Sequence, residues 1–454
     1  YQRKYLEKSG YFLFEHKDYR IDVIMTKLST QSYKGARDFY PEDKRLQSYI
    51  FNTWKKVCER YGYEEYTAPV LEPIELYTSK TSDEIVNEQT YSFTDRGGRT
   101  VVMRPEMTPS VSRMVAARRQ ELPYPLRWYS IPDCWRYERP QRGRNRQFWQ
   151  LNVDIFGVAT VDADLEIISM SDAIMKEFGA NESMYQIKVN SRKLINLIMS
   201  RYLELDAMQA KRMVQLFDKK DKMAADVFVA EARQIFKPEQ VESGLERLYL
   251  LIKAKTLADL PDSLRDTQAV KEIQILFTLL ADHGITAATF DITLMRGFEY
   301  YTDIVFEVFD LDPENNRAMF GGGRYDGLVG AFGVEPIATV GFGMGDAPIE
   351  NFLASHKLEP KLVSATLVYV VTIGDVLAEA HDVARQLRVK GINVAVDLTD
   401  RKPEKQIKAA LKLGVPYLLF VGEQELKNQK FILRNIETQK EDVLGIDEIT
   451  KLIH

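Results

Sequence analysis

The densest chemistry in the sequence lies between Cys134 and Gln150, which reads CWRYERPQRGRNRQFWQ with five arginines from Arg136 to Arg146. An arginine run usually means a solvated charged face. This one holds a single acid, Glu138, and falls between strand-like segments, with Pro140 and Gly143 inside the turn. Arginines on such a loop can converge on phosphate oxygens with a planar, two-pronged geometry that lysine lacks. Three smaller groups accompany it. Glu106, Met107 and Thr108 follow Arg104-Pro105 where a helix would start, an ordinary place for an acid. Arg296 stands beside Gly297 at the end of a strand-like run, where an unpaired arginine has little structural purpose, and Tyr300 and Tyr301 follow it. Gly321-Gly322-Gly323 reads as a turn, or as a place where a backbone must approach something closely.

The elements that would position these groups come from hydrophobic spacing. Leu46, Ile50, Trp54 and Val57 recur at helical intervals and Gly62 closes that run; Tyr63 to Leu71 then reads as a strand entering Pro69. Strand-like runs follow at Val101–Arg104, Leu126–Ile131 and Gln147–Phe156, separated by Gly, Pro and Arg-rich turns. This pattern predicts an α+β core with an antiparallel sheet. Residues 191–288 are rich in Lys, Glu, Leu and Met with helical periodicity, which predicts a helical insertion. Strands resume at Thr289–Met295, Ile304–Phe309 and Val340–Met344. The core is thus expected as 25–190 and 289–353. From 365 to 454 strands and helices alternate, which predicts a small α/β domain with a mostly parallel sheet. Residues 1–24 mix acids, bases and aromatics without a period. They read as an accessory extension or a gene-start artefact, with Met25 the functional start.

Composition narrows the function. The 454 residues are 45% hydrophobic and 28% charged, and 61 basic against 66 acidic residues give a net charge of −5. That is the balance of an ordinary globular protein and argues against a DNA-coating one, though a local basic site can still hold a nucleic acid. No run approaches the roughly 18 apolar residues of a membrane span. Two cysteines, Cys58 and Cys134, exclude a disulfide framework and fit a reducing cytosol, so a cytoplasmic protein with no structural metal site is expected.

Beyond these properties, RYERPQRGRNRQFWQLNVDIFG resembles motif 2 of class II aminoacyl-tRNA synthetases in its histidyl-tRNA synthetase form. RGFEYYTDIVFEV, from Arg296, is similar to the histidine-specific segment of that family. GARDFYPED, YGYEEYTAPVLE (like motif 1) and MRPEMTPSVSRMV match other blocks, and LGVPYLLFVGEQEL resembles its anticodon-binding domain. The likeness runs from Gly35 to the C-terminus in the family's order. It implies activation of L-histidine by ATP with Mg2+, then transfer to tRNA(His), in a class II antiparallel core that dimerises through the motif-1 segment.

The resemblance also implies residue roles. Arg136 and Arg296 would be catalytic, holding the α-phosphate and the substrate carboxylate. Glu106, Met107, Thr108 and Gln150 would surround the amino-acid ammonium, with Tyr300 nearby. Asp154 and Tyr301 would bracket the imidazole. A buried carboxylate needs a donor, and an imidazole N–H supplies one. Glu138 would meet the adenine or the acceptor end, and Gln150 would also touch ATP. Arg401, Lys405 and Lys408, on and before one helix, would face tRNA. The chain departs from the family at motif 3, where Gly345 is followed by Asp346-Ala347-Pro348 instead of Glu-Arg. Either another cation holds the terminal phosphate, with Arg144 the expected one, or ATP handling is altered. The competing reading is a non-catalytic histidine-sensing regulatory paralogue of histidine biosynthesis. The missing arginine favours it; the intact motif 2, the histidine-specific segment and the final domain oppose it.

Overall fold

The computed structural model describes residues 28–78, 89–141, 143–220, 223–294, 300–315, 317–399 and 401–453. Arg296, Arg142 and the extension 1–24 lie outside them.

The helix Pro41–Arg60 starts with proline in its first turn and Glu42 and Asp43 beside it, where acids complement the exposed N–H groups. Tyr61 ends it and Gly62, at φ +78°, turns the chain away. Its buried stripe, Ile50, Trp54 and Val57, meets Ile167 and Ile174 of the helix Asp162–Glu177 within the main core cluster. The single strand expected from Tyr63 to Leu71 is instead two short pieces in different sheets. Glu64–Glu65 pairs in parallel with Leu126–Ser130, and Leu71–Pro73 starts a separate three-stranded sheet with Thr100–Met103 and Tyr91–Thr94. Pro69 has no N–H to donate to a ladder, which fits the break between the two pieces.

The main sheet has nine strands among the described residues. Its centre runs Leu126–Ser130, Gln147–Phe156, Thr339–Gly345, Ala318–Arg324, Ile304–Asp310 and Tyr185–Ser191, antiparallel throughout. The strand Gln147–Phe156 sets the polarity of the two faces. Leu151, Val153 and Ile155 enter the helix-covered core, so Gln150, Asn152 and Asp154 must point to the opposite face. Each of those three apolar side chains contributes roughly 1.5–3 kcal/mol by burial, and a one-residue slip would exchange the faces. The glycine triplet is therefore strand, not turn.

The chain leaves this sheet after Tyr185–Ser191 and re-enters beside it at Ala288–Phe290. The latter is a three-residue strand where Thr289–Met295 was expected. Helices fill the interval, among them Ala207–Lys219, Val241–Lys253 and Gln268–Asp282. Ala207–Lys219 opens on a capping box in which the Asp206 carboxylate accepts from Met208 and Gln209 N–H groups.

The C-terminal domain has its own core around Val370, Leu387, Leu419 and Phe431. Three parallel strands, Val394–Val396, Val368–Ile373 and Tyr417–Gly422, continue into the antiparallel pair Phe431–Asn435 and Glu441–Leu444. The sheet is thus mixed, where a mostly parallel one was expected. The fold class is otherwise the expected one: an antiparallel α+β core with a helical insertion, followed by a small α/β domain. Among the described residues no helix is long and apolar enough to cross a membrane.

Candidate active site

On the open face of the main sheet a cavity of about 190 Å³ is lined by Glu106, Thr108, Arg136, Gln150, Asp154, Tyr300, Tyr301, Tyr325 and Glu307, with Gly321, Gly322, Gly341 and Gly343 among its walls. Strand register explains the glycines. Gly341 lies opposite Asp154, and Gly343 opposite Asn152. A Cβ on Gly341 would collide with the Asp154 carboxylate, and one on Gly343 with the Gln150 amide. The backbone must approach these side chains closely, and only glycine permits it.

Asp154 is 3% exposed. One carboxylate oxygen accepts the Tyr325 hydroxyl; the other is buried and has no partner. Burial raises its pKa to about 7, against a smaller opposing effect of the Tyr325 hydrogen bond. The Gln150 Oε1 is likewise buried without a partner. Two orphaned acceptors facing one small cavity are a site for a ligand that donates hydrogen bonds.

Glu106 is buried and accepts the Tyr300 hydroxyl at 3.1 Å, while its carbonyl accepts from Tyr77 at 3.3 Å. The rings of Tyr300, Tyr301 and Tyr325 meet edge to face at 5.1 Å and 5.6 Å between centroids. Burial holds all three phenols well above their ordinary pKa, so they act as neutral O–H groups. Arg136 is fixed by donating from Nε to the Pro105 carbonyl at 2.9 Å, with its guanidinium carbon 5.2 Å from the Phe148 ring centre.

Other expected residues fall elsewhere. Met107 is fully buried and does not line the cavity; it sits at the start of the helix Thr108–Ala117, its carbonyl accepting the Val111 N–H. Glu138 and Arg144 lie outside the cavity on the loop that follows Arg136. They face each other at 3.5 Å, with the Arg144 side chain 65% exposed. Arg401 is tied to Asp397 at 2.7 Å, and Lys405 and Lys408 are exposed on the helix Pro403–Lys412 of the C-terminal domain. Arg296 lies outside the described residues.

The family model described as histidyl-tRNA synthetase matches residues 35–346. The chain belongs to the histidyl-tRNA synthetase family. A second model, described as an anticodon-binding domain, matches residues 367–454. Within this family, a histidine–tRNA ligase of Leptospira biflexa is 40% identical over 429 residues, 94% of this chain and 98% of the relative. The chloroplastic/mitochondrial one of Arabidopsis thaliana is 37% identical over 402 residues, 88% of this chain and 82% of the relative. The solved histidyl-tRNA synthetase of Nostoc sp. PCC 7120 superposes with a TM-score of 0.80 at 23% identity, over 94% and 99% of the two chains. A Bacillus halodurans C protein described as an ATP phosphoribosyltransferase regulatory subunit/histidyl-tRNA synthetase gives 0.69 at 22%, over 87% and 98%. At those identities the two structures speak to fold alone.

Two features of this synthetase-family site escaped the sequence reading. Tyr325 is a partner of Asp154, and the only signal for it was its place just after the glycine triplet. The second is how the motif-3 departure is accommodated. Asp346, buried at the start of the helix Asp346–Ser355, accepts the Trp149 N–H at 3.1 Å and Arg37 at 2.5 Å. Arg37 also binds Glu350 at 3.1 Å. Two carboxylates thus balance the Arg37 charge and hold its Nη1 and Nη2.

Proposed function

We propose that this chain activates L-histidine with ATP and passes the histidyl group to tRNA(His), as a class II aminoacyl-tRNA synthetase. The observation that carries the reading is the partnerless Asp154 oxygen in the cavity that Tyr301 also lines. An imidazole there donates one N–H to Asp154 and accepts the Tyr301 hydroxyl at its other nitrogen. Analogues without that donor leave a buried carboxylate unpaired and are rejected strongly. Glu106 and Thr108 hold the ammonium, with Gln150 adding its buried carbonyl oxygen.

Arg136 stabilises charge at the α-phosphate as the histidine carboxylate attacks and pyrophosphate leaves. Arg296 is expected at the same phosphate. Glu138 meets the adenine, and Arg144 is the cation available to the terminal phosphate. Among the described residues no three or more His, Cys, Asp or Glu side chains gather into a metal cage. Mg2+ is expected to accompany the ATP phosphates. When bound, the ion neutralises the phosphate charge.

The C-terminal domain receives the tRNA, with Arg401, Lys405 and Lys408 toward its backbone. The active form is a cytoplasmic homodimer of isologous type built on the motif-1 segment Tyr61–Glu72. The regulatory-paralogue reading is disfavoured by the intact motif 2 and by the anticodon-binding match. Charging of a tRNA(His) transcript with labelled histidine tests the whole reaction. Exchange without charging would limit the chain to adenylate formation, and a monomeric mass in light scattering would contradict the dimer.

A further inference from the structure

The segment that carries Tyr300 and Tyr301 meets the helical insertion at one buried carboxylate. Asp303 lies two residues after Tyr301, just before the strand Ile304–Asp310, and is 6% exposed. One of its oxygens accepts the Ser191 hydroxyl at 2.7 Å, and the other faces Lys193 Nζ at 2.5 Å. Its carbonyl accepts the Arg192 N–H at 2.8 Å, next to the register pair Ser191 and Ile304. All three partners stand at the root of the insertion. Ser191 caps its first helix, Arg192–Leu197, by accepting from the N–H groups of Lys193 and Leu194. Lys193 also reaches Glu272 at 3.0 Å on Gln268–Asp282, the helix from which the chain returns to the sheet.

Fastening the insertion does not require this joint. Leu194, Ile195, Ile273 and Leu276 already bury its first and last helices in the main core cluster. A buried ion pair often adds no net stability over apolar residues of similar volume, but its donors and acceptors fix a direction. The direction fixed here is that of the chain leaving Tyr301. Thr302, between Tyr301 and Asp303, donates its N–H to the Arg324 carbonyl at 2.7 Å, and the Arg324 guanidinium is tied to buried Asp164. The Tyr301 ring lies so close to Gly323 that a Cβ there would come within 3.0 Å of it. Tyr301 is thus braced by the strand Ala318–Arg324 on one hand and by Asp303 on the other.

We propose that Asp303 is a positioning residue for histidine selection: gripped by Ser191 and Lys193, it sets the depth at which the Tyr301 hydroxyl meets the imidazole. The proposal deepens the histidine reading above and rests on it. A hydrogen bond from a phenol to a ring nitrogen weakens steeply outside a narrow range of distance and angle, so a small shift of Tyr301 is felt by the substrate. The effect falls on histidine more than on ATP, whose phosphates are assigned to arginines elsewhere.

The test is a double-mutant cycle on histidine-dependent ATP–pyrophosphate exchange by the full chain. Asp303→Ala should raise the KM for histidine about tenfold or more, with that for ATP within about twofold of the parent. In a Tyr301→Phe background the same change should have little further effect, because the hydroxyl it positions is gone. Lys193→Met, at a side chain 51% exposed, leaves the Ser191 bond in place and should raise the histidine constant only about two- to threefold. Should Asp303→Ala fail to fold, Asp303→Asn keeps an acceptor for Ser191 and loses the charge facing Lys193. It is then expected to raise the histidine constant about threefold, again only where Tyr301 is intact. An unchanged histidine constant, equal shifts for both substrates, or a loss independent of Tyr301 overturns the positioning role and leaves the histidine reading standing. If the parent shows no histidine-dependent exchange, the histidine reading itself falls and this role with it.

Discussion

In the proposed function, the floor of the cavity and the arginine loop that follows it serve the same reaction with opposite physics. At the floor, Asp154 is buried, held by Tyr325, crowded by Gly341 and left with one orphaned oxygen. On the loop, Arg144 stands largely in water with one acid 3.5 Å away. A charge contact in a dry site is strong and geometrically strict, whereas the same contact in solvent is worth little. Selecting one amino acid demands the first arrangement. Holding a triphosphate that brings its own counterion tolerates the second.

The comparison breaks most sharply at the glycines. Gly341→Ala places a methyl group against the Asp154 carboxylate and the Val153 carbonyl. Histidine-dependent exchange should fall by about a hundredfold or more, the scale expected when a reacting group is displaced by around an ångström. Circular dichroism would establish that the variant folds. A folded Gly341→Ala enzyme with near-normal exchange would mean that the floor is looser than its packing implies.

Asp154→Ala comes next. Removing a buried charged hydrogen bond costs roughly 1.5–3 kcal/mol, so the KM for histidine should rise about ten- to hundredfold with little change in that for ATP. Equal increases in both constants would indicate a general folding defect.

The same carboxylate gives a pH signature of two opposed signs. Its folded pKa, about 7, lies above the ordinary 3.8 because burial disfavours the charge. The ligand-free protein therefore holds this contribution to stability at acid pH and loses it as pH rises through about 7. Histidine needs the ionised form as acceptor, so its binding should weaken as pH falls through the same range. Asp154→Asn should flatten the stability trend and melt at a higher temperature than the parent at pH above 7, while binding histidine poorly. Parallel pH trends for stability and binding in the parent would contradict this account of Asp154.

Arg144→Ala should be the mildest. A mostly exposed ion pair contributes about 0.2–1 kcal/mol, so the KM for ATP should rise less than about fivefold. An increase beyond tenfold would mean that the loop closes and dries when ATP binds, bringing it closer in character to the floor.

How much of this was legible in the sequence depends on the distance over which each feature is encoded. The alternation of Leu151, Val153 and Ile155 with Gln150, Asn152 and Asp154 is local, and it alone assigns Asp154 to a strand. The partnership of Asp154 with Tyr325 spans 171 residues, and that of Arg37 with Asp346 spans 309. No local pattern encodes either. The last two strands of the C-terminal domain carry charged residues among their hydrophobic ones, which hides their alternation. Arg434 and Glu441 are register partners joined by an ion pair, so the pair reads as polar turn instead of sheet. Met107 went the other way: a motif match set it beside the substrate, whereas its unbranched apolar side chain fills core.

The most direct measurement is exchange of labelled pyrophosphate into ATP by the full chain with Mg2+, supplying each amino acid in turn. The account predicts exchange with histidine alone, supported by the parent and largely lost in Asp154→Ala at the same histidine concentration. Exchange driven by another amino acid, or none with histidine in well-folded protein, would contradict it.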